Sequence, residues 1–121
     1  MATRDLTAED FNDTIAGNDI VLVDFWASWC GPCRAFAPTF TASSEKHPDI
    51  VFGKVDTEAQ EQLAAAAEIR AIPTLMAFKK GHLVFNQAGA LPPAALEDII
   101  TQLRELDIDA AVAAEAASRD T

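Results

Sequence analysis

Residues 20–27 constrain the fold of this chain more than any other segment, because they form a nearly continuous run of apolar, mainly β-branched and aromatic side chains. Runs of this kind are typical of a strand that is buried on both faces. The one charged residue in the run is Asp24, and a lone buried carboxylate is costly. The segment therefore predicts a strand at the centre of a covered sheet.

Similar runs alternate with helical patterns along the rest of the chain. Strands are predicted near Arg4 and over residues 20–27, 49–55, 74–79 and 82–88. Helices are predicted between Thr7 and Gly17, over residues 32–46 with a kink at Pro38, over residues 57–67, and from Pro92 onward. Strands that alternate with helices imply parallel βαβ units, and the last two strands form a hairpin. The expected fold is therefore a three-layer α/β/α protein with a central mixed sheet.

The first helix has the clearest boundary signals. Thr7 and Asp10 have the spacing of a capping box, and Leu6 and Phe11 have that of a hydrophobic staple. Gly17 is expected to end the helix in the left-handed conformation that glycine tolerates.

Length and charge limit the domain organisation and the classes of function. A chain of 121 residues predicts one domain, which we assign to residues 1–106, followed by an acidic, alanine-rich extension over residues 107–121 that is helical or disordered. The net charge of −10 disfavours binding to nucleic acid, since both would be negative. No apolar run is longer than five residues, and none follows the charge at Arg4. We therefore expect neither a membrane span nor a secretory signal.

The two cysteines, Cys30 and Cys33, are separated by two residues. A fold held together by disulfides would need more cysteines, spread along the chain. A structural zinc site needs four ligands, and His47 and His82 do not have the spacing of a ligand pair. The sequence therefore predicts no metal site.

The position of this pair, between the end of a buried strand and the start of a helix, predicts redox chemistry. Unpaired backbone N–H groups and the positive end of the helix dipole favour a thiolate at Cys30, and a thiolate is the form that attacks disulfides. Cys33 lies one turn further along the helix, within disulfide range of Cys30. The expected cycle is attack by Cys30 on a substrate disulfide, followed by attack of Cys33 on the mixed disulfide. The alternative is a pair of structural cysteines without this chemistry.

Several segments resemble the thioredoxin family. Residues 24–33, which read DFWASWCGPC, resemble its active-site segment, and residues 71–75 resemble the segment that carries its cis-proline. Residues 54–56, 78–81 and 88–90 resemble the end of its third strand, its hairpin turn and its last active-site loop. In order and spacing, the resemblance extends over roughly residues 6–106.

The resemblance implies a protein-disulfide reductase that carries electrons by dithiol–disulfide exchange and contributes to cell redox homeostasis. It implies reduction by a thioredoxin reductase, clients that contain disulfides, and no organic cofactor. The Gly-Pro dipeptide between the cysteines is the family's reducing form and implies a cytoplasmic protein. A monomer is expected, because no exposed apolar stripe is evident beyond the active-site rim.

The resemblance also assigns roles to residues. Asp24 would move the proton of Cys33, although it could instead be a carboxylate hydrogen-bonded to nearby backbone. Lys54 would modulate the ionisation of Asp24, Arg34 would keep positive charge near the thiolate, and Pro73 would be cis, face the disulfide and keep metal from the thiols. The residues expected to form an apolar rim that receives the client are Trp29, Gly31, Pro32, Ile72, Ala88, Gly89 and Ala90.

Other functions remain open from the sequence. A thioredoxin-like chain could serve as a binding module that uses the apolar rim without turnover. A periplasmic thiol oxidant is disfavoured by the Gly-Pro dipeptide and by the absence of a secretory signal. Glutaredoxin activity is disfavoured by Trp29 and by the same dipeptide.

Overall fold

The computed structural model describes residues 2–119. Its strands are β1 (Thr3–Asp5), β2 (Ile20–Trp26), β3 (Val51–Asp56), β4 (Thr74–Lys79) and β5 (His82–Ala88). Its helices are α1 (Phe11–Ala16), α2 (Gly31–Lys46), α3 (Glu61–Ala66), α4 (Pro93–Glu105) and α5 (Ile108–Arg119).

The strands form one mixed sheet in the order β1-β3-β2-β4-β5. β3 is parallel to both β1 and β2, whereas β4 is antiparallel to both β2 and β5. This arrangement confirms the predicted α/β fold with a central mixed sheet, and it places β2 at the middle of the sheet.

The side chains of β2 alternate between two apolar cores on opposite faces of the sheet, as the period of two in a strand requires. Leu22 belongs to the core that includes Phe36 and Phe40 of α2 and Leu96 of α4. Val23 belongs to the other core, which also contains residues of α1. Because both faces are covered, the nearly continuous apolar run of residues 20–27 is explained.

The hairpin β4–β5 has the predicted bounds. Lys80 and Gly81 connect its strands with φ angles of 49° and 83°. Positive φ at both residues is the geometry of the two-residue turns that best match the twist of hairpin strands. The turn residues and the apolar runs beside them therefore define this part of the fold.

The start of α1 differs from the prediction. Asp10 Oδ1 accepts the backbone N–H of Thr7 at 2.7 Å, which is one half of the expected capping box, but the helix begins only at Phe11. Gly17 ends the helix with φ −90°, so the expected left-handed conformation is wrong. A side chain at Gly17 would bring its Cβ within 3.0 Å of the Asp13 carbonyl oxygen, so this glycine provides room rather than conformational freedom.

The third helix is shorter than predicted. Asp56 Oδ1 accepts the backbone N–H groups of Glu58 and Ala59 at 2.9 and 3.3 Å. These bonds form a turn over residues 57–59, and α3 begins only at Glu61.

The end of α4 is held by a buried lysine. Lys79 is 6% exposed, and its Nζ donates to the carbonyl oxygens of Leu103, Arg104 and Leu106. An ammonium group has three protons, so these three acceptors use its full donor capacity. The last residue of β4 thus fixes the C-terminal turn of α4.

A further helix, α5, follows this turn. Ile108 is buried at its start, Asp107 Oδ1 accepts the N–H of Ala110, and residues 109–118 are exposed. The helix lies within the extension predicted over residues 107–121, whose acid Asp120 lies outside the described residues, and the domain boundary at residue 106 stays a prediction. Over residues 2–119, no helix is long and apolar enough to cross a membrane.

Candidate active site

The two cysteines lie where the central strand passes into a helix. β2 ends at Trp26, the N–H of Cys30 donates to the carbonyl oxygen of Ala27 at 3.2 Å, and α2 begins at Gly31. Cys30 and Cys33 form a disulfide with their Cα atoms 5.2 Å apart. Both are nearly inaccessible, with exposures of 3% and 2%.

The sulfur of Cys30 occupies the N-cap of the 16-residue helix α2 and accepts the backbone N–H of Cys33 at 3.2 Å. Pro32 lies in the first turn, where a missing N–H costs little. The N–H groups and the positive helix end at this position stabilise negative charge on the Cys30 sulfur after reduction. The site can therefore present a thiolate at Cys30.

The loop that precedes β4 lies at the same end of the sheet as the end of β2, and it faces this sulfur. The Ile72–Pro73 peptide bond is cis, as the resemblance implied, and the Ile72 carbonyl oxygen lies 3.7 Å from Cys30 Sγ. Thr74 Oγ1 donates to the carbonyl oxygen of Ala71 and so closes the loop upon itself. Sequence-distant residues 30 and 72 are thereby brought together.

Gly89 supports the same loop. Its N–H donates to the carbonyl oxygen of Pro73 at 2.8 Å, with a φ of +106°. No heavy atom outside the neighbouring residues lies within 4 Å of the position a Cβ would take, so lack of space does not explain the glycine. The left-handed backbone explains the glycine instead.

Asp24 lies behind the disulfide and is fully buried in β2. Among residues 2–119, neither of its carboxylate oxygens has a hydrogen-bond partner, so the alternative of a carboxylate bonded to backbone is not what the structure has. Burial raises the pKa of Asp24 from its usual 3.8 to about 7, although the positive charge of Lys54 acts in the opposite direction. Lys54 is opposite Asp24 in the register of β2 and β3.

A cavity of about 100 Å³ contacts both this carboxylate and Cys33. Its lining residues are Asp24, Trp26, Ala27, Cys33, Arg34, Ala37 and Lys54. A cavity of this volume has room for water, which can relay a proton between polar groups that do not touch. The fold thus places Asp24, Cys33 and Lys54 around one space.

The residues predicted to form the rim lie at the surface, and Ile72 among them packs against the disulfide. Trp29 is 65% exposed, and Ile72 is half-buried. The remaining rim residues are all exposed: Gly31, Pro32, Ala88, Gly89 and Ala90. Arg34 Nη1 donates to the Ser28 carbonyl oxygen at 2.9 Å, so its charge lies beside the loop that precedes Cys30.

Trp26 also belongs to the site, although the sequence analysis did not assign it a role. Its ring is half-buried, lines the cavity with Asp24, and lies 5.0 Å from Lys54 Nζ, measured to the ring centroid. The sequence does contain a signal for this position of Trp26. Trp26 follows Asp24 by two residues in one strand, so the two side chains lie on the same face of the sheet.

Metal ligands are not clustered in the part of the chain that the structure describes. Among residues 2–119, no group of three or more His, Cys, Asp or Glu side chains is placed to hold a metal ion.

Comparison with known proteins identifies the family. The sequence model of the thioredoxin family matches residues 2–102. A Streptomyces coelicolor protein described as thioredoxin 2 is 55% identical over 108 residues, which cover 89% of this chain and 81% of that protein. Thioredoxin-1 of Saccharomyces cerevisiae is 40% identical over 99 residues, which cover 82% of this chain and 96% of that protein.

Solved structures agree with the sequence comparison. A mutant thioredoxin from Halobacterium salinarum superposes with a TM-score of 0.79 at 33% identity, covering 87% of this chain and 92% of that one. These matches agree with the fold and with the Cys30–Cys33 disulfide at the start of α2. This chain belongs to the thioredoxin family and is a protein-disulfide oxidoreductase of the thioredoxin type.

Proposed function

We propose that Cys30 is the attacking nucleophile and Cys33 the resolving thiol in the reduction of client disulfides. The observation that carries the assignment is the position of the Cys30 sulfur at the N-cap of α2, where it accepts the N–H of Cys33. Cys33 lies deeper, against the cavity that contains Asp24. Its proton is therefore retained longer, and the two thiols act in sequence.

In the first step, the thiolate of Cys30 attacks one sulfur of the client disulfide. The client S–S bond breaks, a Cys30–client disulfide forms, and the other client sulfur leaves as a thiolate that takes a proton from water. In the second step, Cys33 loses its proton to Asp24 and attacks the Cys30 sulfur. The Cys30–client bond breaks, and the second client sulfur leaves as a thiolate that takes a proton from water. The client has then gained two electrons, and Cys30 and Cys33 are left oxidised as a disulfide.

Asp24 is suited to the proton transfer because its pKa of about 7 lies close to neutral pH. The cavity that it shares with Cys33 provides the route, and Lys54 limits how far burial raises the pKa. Asp24 and Lys54 therefore act on the second step, in which Cys33 must lose its proton.

The client is proposed to bind across the exposed rim that includes Trp29, Ile72 and Gly89. The carbonyl oxygen of Pro73 is occupied by the N–H of Gly89. The peptide group open to a client strand is that of Ile72, which also lies beside the Cys30 sulfur. Main-chain contacts of this kind are compatible with many client sequences.

We propose that a thioredoxin reductase, with electrons from NADPH, reduces the Cys30–Cys33 disulfide after each cycle. The proposal rests on family membership and on the Gly-Pro dipeptide at residues 31–32. A cytoplasmic location is proposed with it, since such a reductant functions in a reducing compartment. A monomeric state is proposed as well, because the sequence shows no apolar stripe beyond the active-site rim.

The test uses the full chain with insulin as a disulfide-bonded client. Cys33→Ser should accumulate a mixed disulfide through Cys30, because the resolving thiol is gone, whereas the matched variant Cys30→Ser should form none. Trapping by Cys30→Ser instead would reverse the two roles. Retention of insulin by the double variant would favour a binding module over exchange.

Electron supply is tested separately by equilibrating the Cys30–Cys33 couple against a series of glutathione ratios, followed by turnover with NADPH and a thioredoxin reductase. A potential below that of the glutathione couple and steady consumption of NADPH are expected. An oxidising potential would argue against both the reductase and the cytoplasmic location.

A further inference from the structure

Lys54 lies between two carboxylates in one row across the sheet. In the register of the strands, Lys54 on β3 pairs with Asp24 on β2 and with Asp5 on β1. Residues directly opposite each other in neighbouring strands project from the same face, and neighbouring strands are about 4.8 Å apart. Asp24 and Asp5 therefore flank Lys54 at similar spacing, one toward the middle of the sheet and one toward its edge.

Trp26 and Lys54 separate two cavities. Both line the inner cavity with Asp24 and Cys33, and both line an outer cavity of about 360 Å³ that also contacts Asp5 and Asp56. The ammonium of Lys54 lies over the Trp26 ring. Within residues 2–119 it forms no ion pair with a carboxylate on either side. The positive charge of Lys54 can therefore act on carboxylates in both the inner and the outer cavity.

The two carboxylates at the outer cavity, Asp5 and Asp56, differ in their hydrogen bonds and in their register with Lys54. Asp56 Oδ1 accepts the N–H groups of Glu58 and Ala59. Asp5 is exposed at the end of the edge strand β1 and is the carboxylate in direct register with Lys54. Asp5 is therefore the outer group best placed to draw the ammonium away from Asp24.

We propose that Asp5 is a positioning residue for the proton chemistry of this site, because it competes with Asp24 for the ammonium of Lys54. The inference rests on the proposed role of Asp24 as the group that accepts the Cys33 proton. The remaining charged group at the inner cavity is Arg34 of α2, and Asp56 completes the set at the outer cavity.

The direction of the effect follows from electrostatics. Lys54 stabilises the ionised form of Asp24, and the negative charge of Asp5 weakens that stabilisation both through Lys54 and by direct repulsion. Asp5 therefore keeps Asp24 protonated to higher pH. Removing the charge of Asp5 should let Asp24 ionise at lower pH.

The experiment measures the pH midpoint of the Asp24 carboxyl carbon by ¹³C NMR in the oxidised full-length chain, with the signal assigned by its loss in Asp24→Asn. Asp5→Asn should lower the midpoint by about 0.5 pH unit at low ionic strength. Asp5→Lys should lower it further, and both shifts should shrink as salt screens the charges.

The matched control is Asp98→Asn, which removes one exposed carboxylate from α4, where it accepts a hydrogen bond from Gln102. A midpoint shift for Asp5→Asn at least twice that of the control supports the proposal. A smaller shift, or no further decrease with Asp5→Lys, overturns it. Because the midpoint is measured without a client, this result is independent of whether Asp24→Asn slows exchange, which tests the proposed function.

Discussion

Two ionisable side chains, Asp24 and Lys79, are buried in the same pair of neighbouring strands but in opposite electrostatic situations. Asp24 is 0% exposed, and neither of its oxygens has a partner among residues 2–119. Lys79 is 6% exposed and donates to three carbonyl oxygens at the end of α4. Asp24 pairs with Leu75 and Lys79 pairs with Ile20, so the two groups lie four residues apart along the strands, about 13 Å.

The difference shows that burial of a charge does not by itself mark a reactive site. An ammonium whose three protons are all donated to carbonyl oxygens is stable as a cation and serves to hold a helix in place. A carboxylate without partners is unstable as an anion, so burial raises its pKa toward neutral pH. Asp24 can therefore exchange a proton near neutral pH.

The largest effect is expected for Asp24→Asn, which removes the unpaired charge. The pKa of Asp24 in the folded chain is about 7 against its usual 3.8, so ionisation favours the unfolded chain as the pH rises between these values. The variant should be more stable than the parent chain by an amount on the order of 4 kcal/mol at about pH 8, with no gain below about pH 4. Urea unfolding across this pH range measures the gain.

The same variant should reduce insulin disulfides at least about tenfold more slowly, because a general base is lost from the second step. Equal stability of variant and parent at about pH 8 would mean that the carboxylate has a partner in solution. Unchanged exchange kinetics would remove Asp24 from the mechanism and weaken the comparison with Lys79.

Lys79→Met should change the free energy of unfolding in the opposite direction and make the chain less stable. The variant retains the length and apolar stem of the side chain but leaves the three carbonyl oxygens at the end of α4 without their charged donor. A loss of about 2 kcal/mol is expected, with exchange kinetics unchanged. Hydrogen exchange should increase in the last turn of α4, and slower insulin reduction by the folded variant would contradict a purely structural role.

Combining the two substitutions tests whether the two regions are independent. Sites this far apart without shared partners usually give additive free energies, so the double variant should match the sum of the single effects within about 0.5 kcal/mol. A larger deviation in urea unfolding would show that the two ends of β2 and β4 are coupled.

The smallest effect is expected for Lys80→Met, next to Lys79 in the chain. Lys80 Nζ lies 3.5 Å from Asp109 of α5, and both side chains are more than half exposed. Exposed pairs of this kind contribute little, so the free energy of unfolding should change by less than about 0.5 kcal/mol. A loss as large as that of Lys79→Met would remove the distinction between buried and exposed lysines at this turn.

The sequence predicted those parts of the fold that depend on local pattern. β4 and β5 have the predicted bounds because apolar runs flank a Lys-Gly turn that requires positive φ. The cysteine pair was placed correctly because its position depends only on where one strand ends and one helix begins. Asp24 was recognised because a carboxylate inside an apolar strand is anomalous without reference to any other segment.

The features that were missed depend on distant partners. The carbonyl oxygens that bind Lys79 are 24 to 27 residues further along the chain, and no local pattern indicates them. The joint position of Trp26, Lys54 and Asp5 depends on the register of three strands. The left-handed conformation predicted for Gly17 is wrong, because the backbone angle and the nearby Asp13 carbonyl oxygen depend on how the chain continues into β2.

The burial of the disulfide beside an exposed tryptophan affects which molecules can exchange electrons with it. The sulfurs of Cys30 and Cys33 are almost sealed from solvent, whereas Trp29 beside them is open. Small dissolved thiols and oxidants collide with the protein constantly but reach the sulfurs rarely. We expect a client surface that fits over Trp29 and Ile72 to hold its own sulfur against Cys30 for longer than a small thiol can. The low exposure of the two cysteines should therefore favour exchange with fitted protein clients over exchange with small thiols.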